Sequence, residues 1–261
     1  MTITLAESTR QLALIVGEVF SGVATGGSAT TLDDTACTDF PDDFWIGGTL
    51  WLTSGNNIGK TAVITDWDLT TNKRFTFATL TLLCAAADIY TVCHKNFSRQ
   101  LLRNAINQAL ADMPRVTQLN SALTPVADQL EYDLPSGVSG VVRVTKGVTP
   151  NFTIHHNWSE YNGHLYLDPG KTFEATDTIN LWYNPPYTAL TADTGVIADL
   201  VPWERVKWGA VVYALRERYN KVGDSDTSVK NKLAEAMQQA EMARVKYPVK
   251  QLPRDPRYAT Y

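Results

Sequence analysis

Apolar side chains recur at helical spacing most clearly over residues 97–113. Seven of them fall on one face: Leu101, Leu102, Ala105, Ile106, Ala109, Leu110 and Met113. Asn96 or Ser98 can cap the start of this segment, and Pro114 ends it. A shorter amphipathic pattern over residues 5–17 predicts a second helix near the N-terminus.

Two further helices are predicted close to the C-terminus, over residues 202–221 and 226–246. The second carries a narrow seam with spacings of 4, 3, 4 and 3: Val229, Leu233, Ala236, Ala240 and Ala243. A seam rich in alanine permits close helix–helix approach. Because the link KVGDSD is short, the two segments should form an antiparallel helix hairpin.

Between the helices, apolar and polar residues alternate in short runs that favour strands. Residues 19–95 contain VFSGVATGG, FWIGGTLWLTSG, KTAVITDWDL, RFTFATL and DIYTVCH, with turn signals between them. This spacing is typical of a small barrel or sandwich. A second β-rich region, about 117–186, contains LEYDLP, GVVRVTKGV, FTIHHNW, GHLYLDPG and TINLWYNPP.

These patterns predict an α+β fold with a helical core and two β-rich regions. We expect a helix in 1–18 that joins the core and a barrel or sandwich in 19–95. The core itself, 96–247, carries the second β-region as an insertion. Three prolines exclude a helix from the last residues, 248–261, and favour an extended chain. This tail is either disordered or bound to another surface.

Charge and cysteine content narrow the class of protein. The 261 residues carry a net charge of −4, which does not suit a general nucleic-acid binder. Residues 1–96 hold five Lys or Arg against ten Asp or Glu, so the N-terminal third is acidic. That is either a solvated acidic face or a channel wall that repels DNA phosphates. The three cysteines suit reduced thiols, and neither a signal peptide nor a membrane span is recognisable.

The motif Ser54–Thr61, SGNNIGKT, is close to a phosphate-binding loop but fails its spacing. Gly55 leaves three residues before Gly59, where four are needed, and the residues after Lys60 alternate like a strand. We therefore interpret the motif as a hairpin turn rather than a nucleotide site.

Other polar groups have simpler interpretations than catalysis. His155 and His156 are adjacent, so in a strand they point to opposite faces and cannot chelate one metal ion. His164 and Glu160 could form a metal or acid–base site only if the chain folds back on itself. The pairs Asp33–Asp34 and Asp42–Asp43 lie beside turn residues and suit turn and cap chemistry. We expect no catalytic, cofactor-binding or metal-binding residue, no cofactor and no enzymatic activity.

The order of segments resembles head–tail connector (adaptor) proteins of tailed phages. The resemblance rests on SRQLLRNAINQALADMPRV, LEYDLPSGVSGVVRV, DTINLWYNPPYTALTADTGVIADLVPWERVKWGAVVYALRERY and EAMQQAEMARVKYPVKQLPRDPR. The stretch DFWIGGTLWLTSGNNIGKTAVITDW also looks like a β-domain of phage virion proteins. The chain has much more β-structure than minimal all-helical adaptors, so its place in the neck stays open.

This resemblance implies a structural virion protein that is made in the bacterial host cytoplasm. It implies a homo-oligomeric ring, usually of twelve copies, that binds beneath the portal, retains the genome and contacts tail or neck proteins below. DNA would pass through its lumen, and no membrane is involved. The docking tail would use Lys250, Arg254, Arg257, Tyr258 and Tyr261, since Arg and Tyr favour interfaces. The alternatives are a stopper, tail-tube or decoration protein, or a nucleotide- or carbohydrate-acting enzyme.

Overall fold

The computed structural model describes residues 3–17, 19–70, 73–148, 151–197, 201–223 and 226–249. Helices and sheets are mixed in these residues, which confirms the predicted α+β class. The described residues up to 113 and those of 189–248 form one compact unit, and those of 114–188 form another. We call them the first and the second unit. The finer division into four segments stays a prediction.

The first unit contains four α-helices among its described residues. They are α1 Leu5–Val16, α2 Arg99–Ala111, α3 Trp203–Val222 and α4 Thr227–Lys246. The side chains of Thr4, Ser98 and Asp226 cap α1, α2 and α4, because each accepts a hydrogen bond from a first-turn backbone N–H. All four predicted helices are confirmed. No helix in the described ranges has the length and apolarity needed to cross a membrane.

The described strands are short, and most of them belong to three antiparallel sheets. In chain order they are β1 Ile3–Thr4, β2 Val19–Val23, β3 Gly26–Gly27, β4 Thr31–Asp33, β5 Thr49–Leu52, β6 Thr61–Asp68, β7 Arg74–Phe77, β8 Ile89–Cys93, β9 Gln118–Asn120, β10 Glu131–Asp133, β11 Val141–Lys146, β12 Thr153–His155, β13 Trp158–Tyr161, β14 His164–Leu167, β15 Ile179–Tyr183 and β16 Val196–Ile197. The short strands β1 and β16 pair with each other within the first unit.

Strands β2 to β8 form one curled sheet in the order β2-β8-β5-β6-β7-β4-β3. Its edge strands, β2 and β3, are consecutive parts of residues 19–27. Three residues span at most about 11 Å, so the two edges must come together there. No pairing joins β2 to β3, and the described residues contain no closed barrel. The predicted β-rich N-terminal region is therefore confirmed, but its closure into a barrel is not.

Large aromatic side chains fill the inside of the curled sheet. Trp45, Trp67, Phe75 and Tyr90 are fully buried in one cluster. All four residues of β5 are buried, although strands of an antiparallel sheet often leave one face in water. The reason is that one face of β5 lines this core, whereas its Trp51 lies against α1.

The second unit consists of two small antiparallel sheets around a separate core. Their orders are β10-β14-β13 and β12-β11-β15-β9. The core contains Trp158, Leu165, Phe173 and Ile179. Strands β10, β11, β12, β14 and β15 fall in the predicted segments, whereas β9 and β13 were not predicted.

Candidate interaction site

The alanine seam of α4 lies against α3 of the same chain. Val229, Ala236 and Ala243, which are seven residues apart, are buried, and Leu233 and Ala240 are half-buried. The main contact of α4 is with α3, and small side chains let the two helix axes come close. This packing explains the spacing of the seam. A contact between copies through the same five residues stays a prediction.

A groove of about 290 Å³ lies between α2, α3 and α4. The second half of α4 borders it opposite the first half of α3, which confirms that this helix pair is antiparallel. Its apolar lining consists of Ala109, Met113, Gly209, Val212, Met237 and Ala240. A side chain at Gly209 would place its Cβ 3.3 Å from Ala109 Cβ, so the glycine lets α2 and α3 approach closely. This groove was not predicted from the sequence, although a glycine inside a helix costs stability and so indicates close packing.

Polar groups form the rim of the groove. The Tyr213 hydroxyl donates a hydrogen bond to Asp112, which raises the pKa of Tyr213 and keeps the phenol protonated. Arg244 and Glu241 form an exposed ion pair of 3.7 Å on α4. An apolar floor with paired charges at its edge is suited to binding apolar side chains of a protein partner.

The SGNNIGKT motif forms the turn between β5 and β6, as predicted. Asn57 is buried, and its amide bonds both backbone groups of Leu82, at 2.7 Å to the oxygen and 3.3 Å from the nitrogen. Gly59 has a φ of 78°, a left-handed conformation that favours glycine. Lys60 is exposed and precedes a strand, so the loop lacks the helix start of a phosphate-binding loop.

The histidines of the second unit have separate surroundings at His155 and His164. The ring of His155 packs 5.0 Å from that of Phe173, and burial lowers the pKa of His155. His164 Nδ1 lies 2.9 Å from Asp133 Oδ1 and 3.3 Å from Glu131 Oε1, on neighbouring strands. In the part of the chain that the structure describes, no three His, Cys, Asp or Glu side chains form a metal-binding group.

The three cysteines are buried, and none of them forms a disulfide. Burial raises the pKa of Cys37 to about 12 and that of Cys84 to about 11, so both thiols are protonated and poor nucleophiles.

Asp34 has the turn chemistry that was predicted for the carboxylate pairs, because its Oδ1 accepts a hydrogen bond from the backbone N–H of Ala36. Asp33 instead forms an ion pair with Arg74, and Asp42 Oδ1 accepts a bond from the distant Leu69 N–H. Asp34 has a second bond that the sequence did not indicate, since its Oδ2 accepts the Tyr90 hydroxyl at 2.7 Å.

The tail residues of the predicted docking segment fall outside the described residues. They are Lys250, Arg254, Arg257, Tyr258 and Tyr261. Their part in binding therefore stays a prediction.

Residues 76–259 match the family model of the SU10 adaptor protein, which is well over half of the chain. The chain belongs to the SU10 adaptor protein family. The matched stretch contains α2, α3, α4 and the groove between them, whereas α1 and strands β2 to β6 precede it. SU10-family adaptors are phage structural proteins, so this chain is a virion component. A comparison with curated proteins finds no significant match.

Proposed function

We propose that this SU10-family adaptor forms a homo-oligomeric ring beneath the portal and there provides the attachment platform for the tail. The family match across α2, α3 and α4 carries this proposal. A ring subunit needs a stiff wall and surfaces that bind its neighbours. The tightly packed α3–α4 pair supplies the wall, and the groove beside it is a surface suited to a protein partner.

The proposed mechanism is geometric rather than chemical. The portal ring acts as a template that sets the number of copies, which we expect to be twelve. The ring retains the packaged genome, and DNA passes through its lumen. Tail or neck proteins bind on the side opposite the portal. The acidic balance of residues 1–96 would favour easy passage of DNA if that region faces the lumen, because like charges repel.

The C-terminal tail is the proposed portal-docking segment. Residues 248–261 contain three prolines, three cationic side chains and two tyrosines, a composition that favours an extended chain with interface anchors. Ordering such a segment costs conformational entropy, and simultaneous binding by many copies in a ring offsets that cost.

A truncation tests the docking role of this segment. A variant that ends at residue 247 should keep its circular dichroism spectrum and thermal midpoint but lose binding to purified portal in a pull-down. A control variant replaces residues 250–261 with a Gly-Ser segment of the same length, and it should also fail to bind. Normal portal binding by both variants would refute the docking role.

The curled sheet favours a second candidate function. Strands β2 to β6 precede the matched stretch, so most of this sheet is additional to what the family model covers. A stopper, tail-tube or decoration protein could use such a β-region for its contacts. Imaging of intact particles separates the two candidates, because an adaptor lies against the portal and the others lie elsewhere.

A further inference from the structure

One end of the curled sheet exposes an apolar surface, and at Ile58 it borders the Glu7–Arg10 ion pair of α1. Five large aliphatic side chains there are between 48% and 66% exposed, and three alanines beside them are exposed as well. We call this surface the apolar end; it consists of Val23, Ile58, Leu82, Leu83, Ala85, Ala86, Ala87 and Ile89. Between residues 80 and 92 the only acidic or basic side chain is Asp88, which is buried.

Hydrogen bonds hold the apolar end in one conformation. The buried Asn57 amide joins the loop that carries Ile58 to Leu82. Val23 and Ile89 are cross-strand partners, and the Asp88 carboxylate accepts the Ala85 N–H at 2.9 Å. These bonds connect the loops and strands that carry the exposed side chains. A preformed surface loses little conformational entropy when it binds.

The size of the apolar end indicates a binding surface. Five half-exposed aliphatic side chains together expose several hundred Å² of apolar area, the size at which exposed patches usually mark an interface. Stable pairwise interfaces bury about 800 Å² on each partner. One contact through the apolar end alone would therefore be weak, and repetition around a closed assembly would strengthen it.

The groove between α2, α3 and α4 is a recess of matching chemistry. Its floor is apolar, and Met237 at its edge is 51% exposed, so the described residues leave it open. A cavity of about 150 Å³ accommodates benzene. A groove of about 290 Å³ therefore has room for two aliphatic side chains such as those of Leu82 and Leu83.

We propose that the apolar end of one copy binds in the groove of a second copy of this chain. Each copy then offers one protruding and one concave surface. Such a head-to-tail contact propagates from copy to copy and closes into a ring when the rotation permits. This inference rests on the proposed function, because it assumes the self-association and names the residues that mediate it.

Site-directed cross-linking tests the contact. A Leu83→Cys protein is mixed with a Met237→Cys protein on purified portal rings and oxidised mildly. We expect a covalent dimer on non-reducing gels that is absent when either protein is oxidised alone. The control mixes Val63→Cys with Met237→Cys, since Val63 is 56% exposed but lies on β6, away from the apolar end. The native thiols should not interfere, because all three are buried.

Leu83→Asp provides an independent readout. Because Leu83 is 62% exposed, the variant should keep its thermal midpoint, and its sedimentation at concentrations where the wild type self-associates should shift to the monomer. Rings on the portal without the 83–237 cross-link, or with an equal 63–237 cross-link, would overturn this inference and leave the proposed function standing. A specific 83–237 cross-link without portal binding would support the contact and refute the portal role.

Discussion

A buried hydrogen bond links the strands that lie next to the two edges of the curled sheet. The Tyr90 hydroxyl on β8 donates to Asp34 Oδ2 at 2.7 Å, and Asp34 directly follows β4. Tyr90 is 0% and Asp34 1% exposed. Burial raises the pKa of Tyr90, so its hydroxyl is protonated and donates at any physiological pH.

Replacing Tyr90 with Phe removes this donor and keeps the ring. Hydrogen bonds to charged groups contribute about 1.5–3 kcal/mol, and a buried acceptor that loses its partner has a desolvation cost of similar size. Asp34 keeps one partner, the N–H of Ala36. We therefore expect the free energy of unfolding of the first unit to fall by about 2 kcal/mol in Tyr90→Phe.

Urea denaturation followed by tryptophan fluorescence measures this change, since Trp45 and Trp67 lie in the same core. With a slope of about 2 kcal/mol per molar urea, the midpoint should drop by about 1 M. The matched control is Tyr213→Phe, because that hydroxyl also donates to an aspartate but lies at the surface. Its effect should stay within about 0.5 kcal/mol. If the two variants lower the free energy of unfolding by the same amount, then burial does not make the Tyr90 hydrogen bond more stabilising, and this reasoning is refuted.

Three further changes test other parts of the fold. Gly22→Ala places a Cβ 2.3 Å from Asp34 Oδ2 and should lower the free energy of unfolding by about 1–3 kcal/mol in the same urea assay. In Gly26→Ala the nearest atom to the new Cβ, Asp33 Oδ2, is 3.9 Å away, so this control should leave the free energy of unfolding unchanged. The lowered pKa of His155 means that the unfolded chain binds its proton at higher pH than the folded chain. Stability of the second unit should therefore fall as pH drops from 7 to 5, a slope that His155→Gln should reduce in pH-dependent melting. Cys37, with its pKa of about 12, should react with a thiol reagent only after urea unfolding, and labelling at pH 8 without urea would contradict this.

The helices could be predicted from the sequence because their signals are local. The spacing of apolar residues located α2, and Ser98, one of the two cap positions that the sequence suggested, caps it. The last helix was predicted to begin at Asp226, and Asp226 is the residue that caps α4. Local signals also fixed the β5–β6 turn. A missed local signal is Asn162–Gly163, whose positive φ values of 49° and 82° make the tight turn between β13 and β14.

The features that were missed depend on residues far apart in the chain. Alternation predicted strands in 19–95 but could not show that the edges remain unpaired or that Asp34 reaches Tyr90, 56 residues away. The groove lies between three helices. The spacing of apolar residues along the chain does not determine how those helices are arranged in space. The seam of α4 was recognised by its alanines, yet whether it faces its own chain or a neighbour is decided by tertiary packing, and in the structure it lies against α3.

Electron microscopy of purified portal with and without the full-length protein tests whether this chain forms a ring on the portal. We predict an additional ring of density on one face of the portal, with the rotational symmetry of the portal itself. Portal particles that look the same with and without the protein, at concentrations where it is folded and in excess, would contradict it.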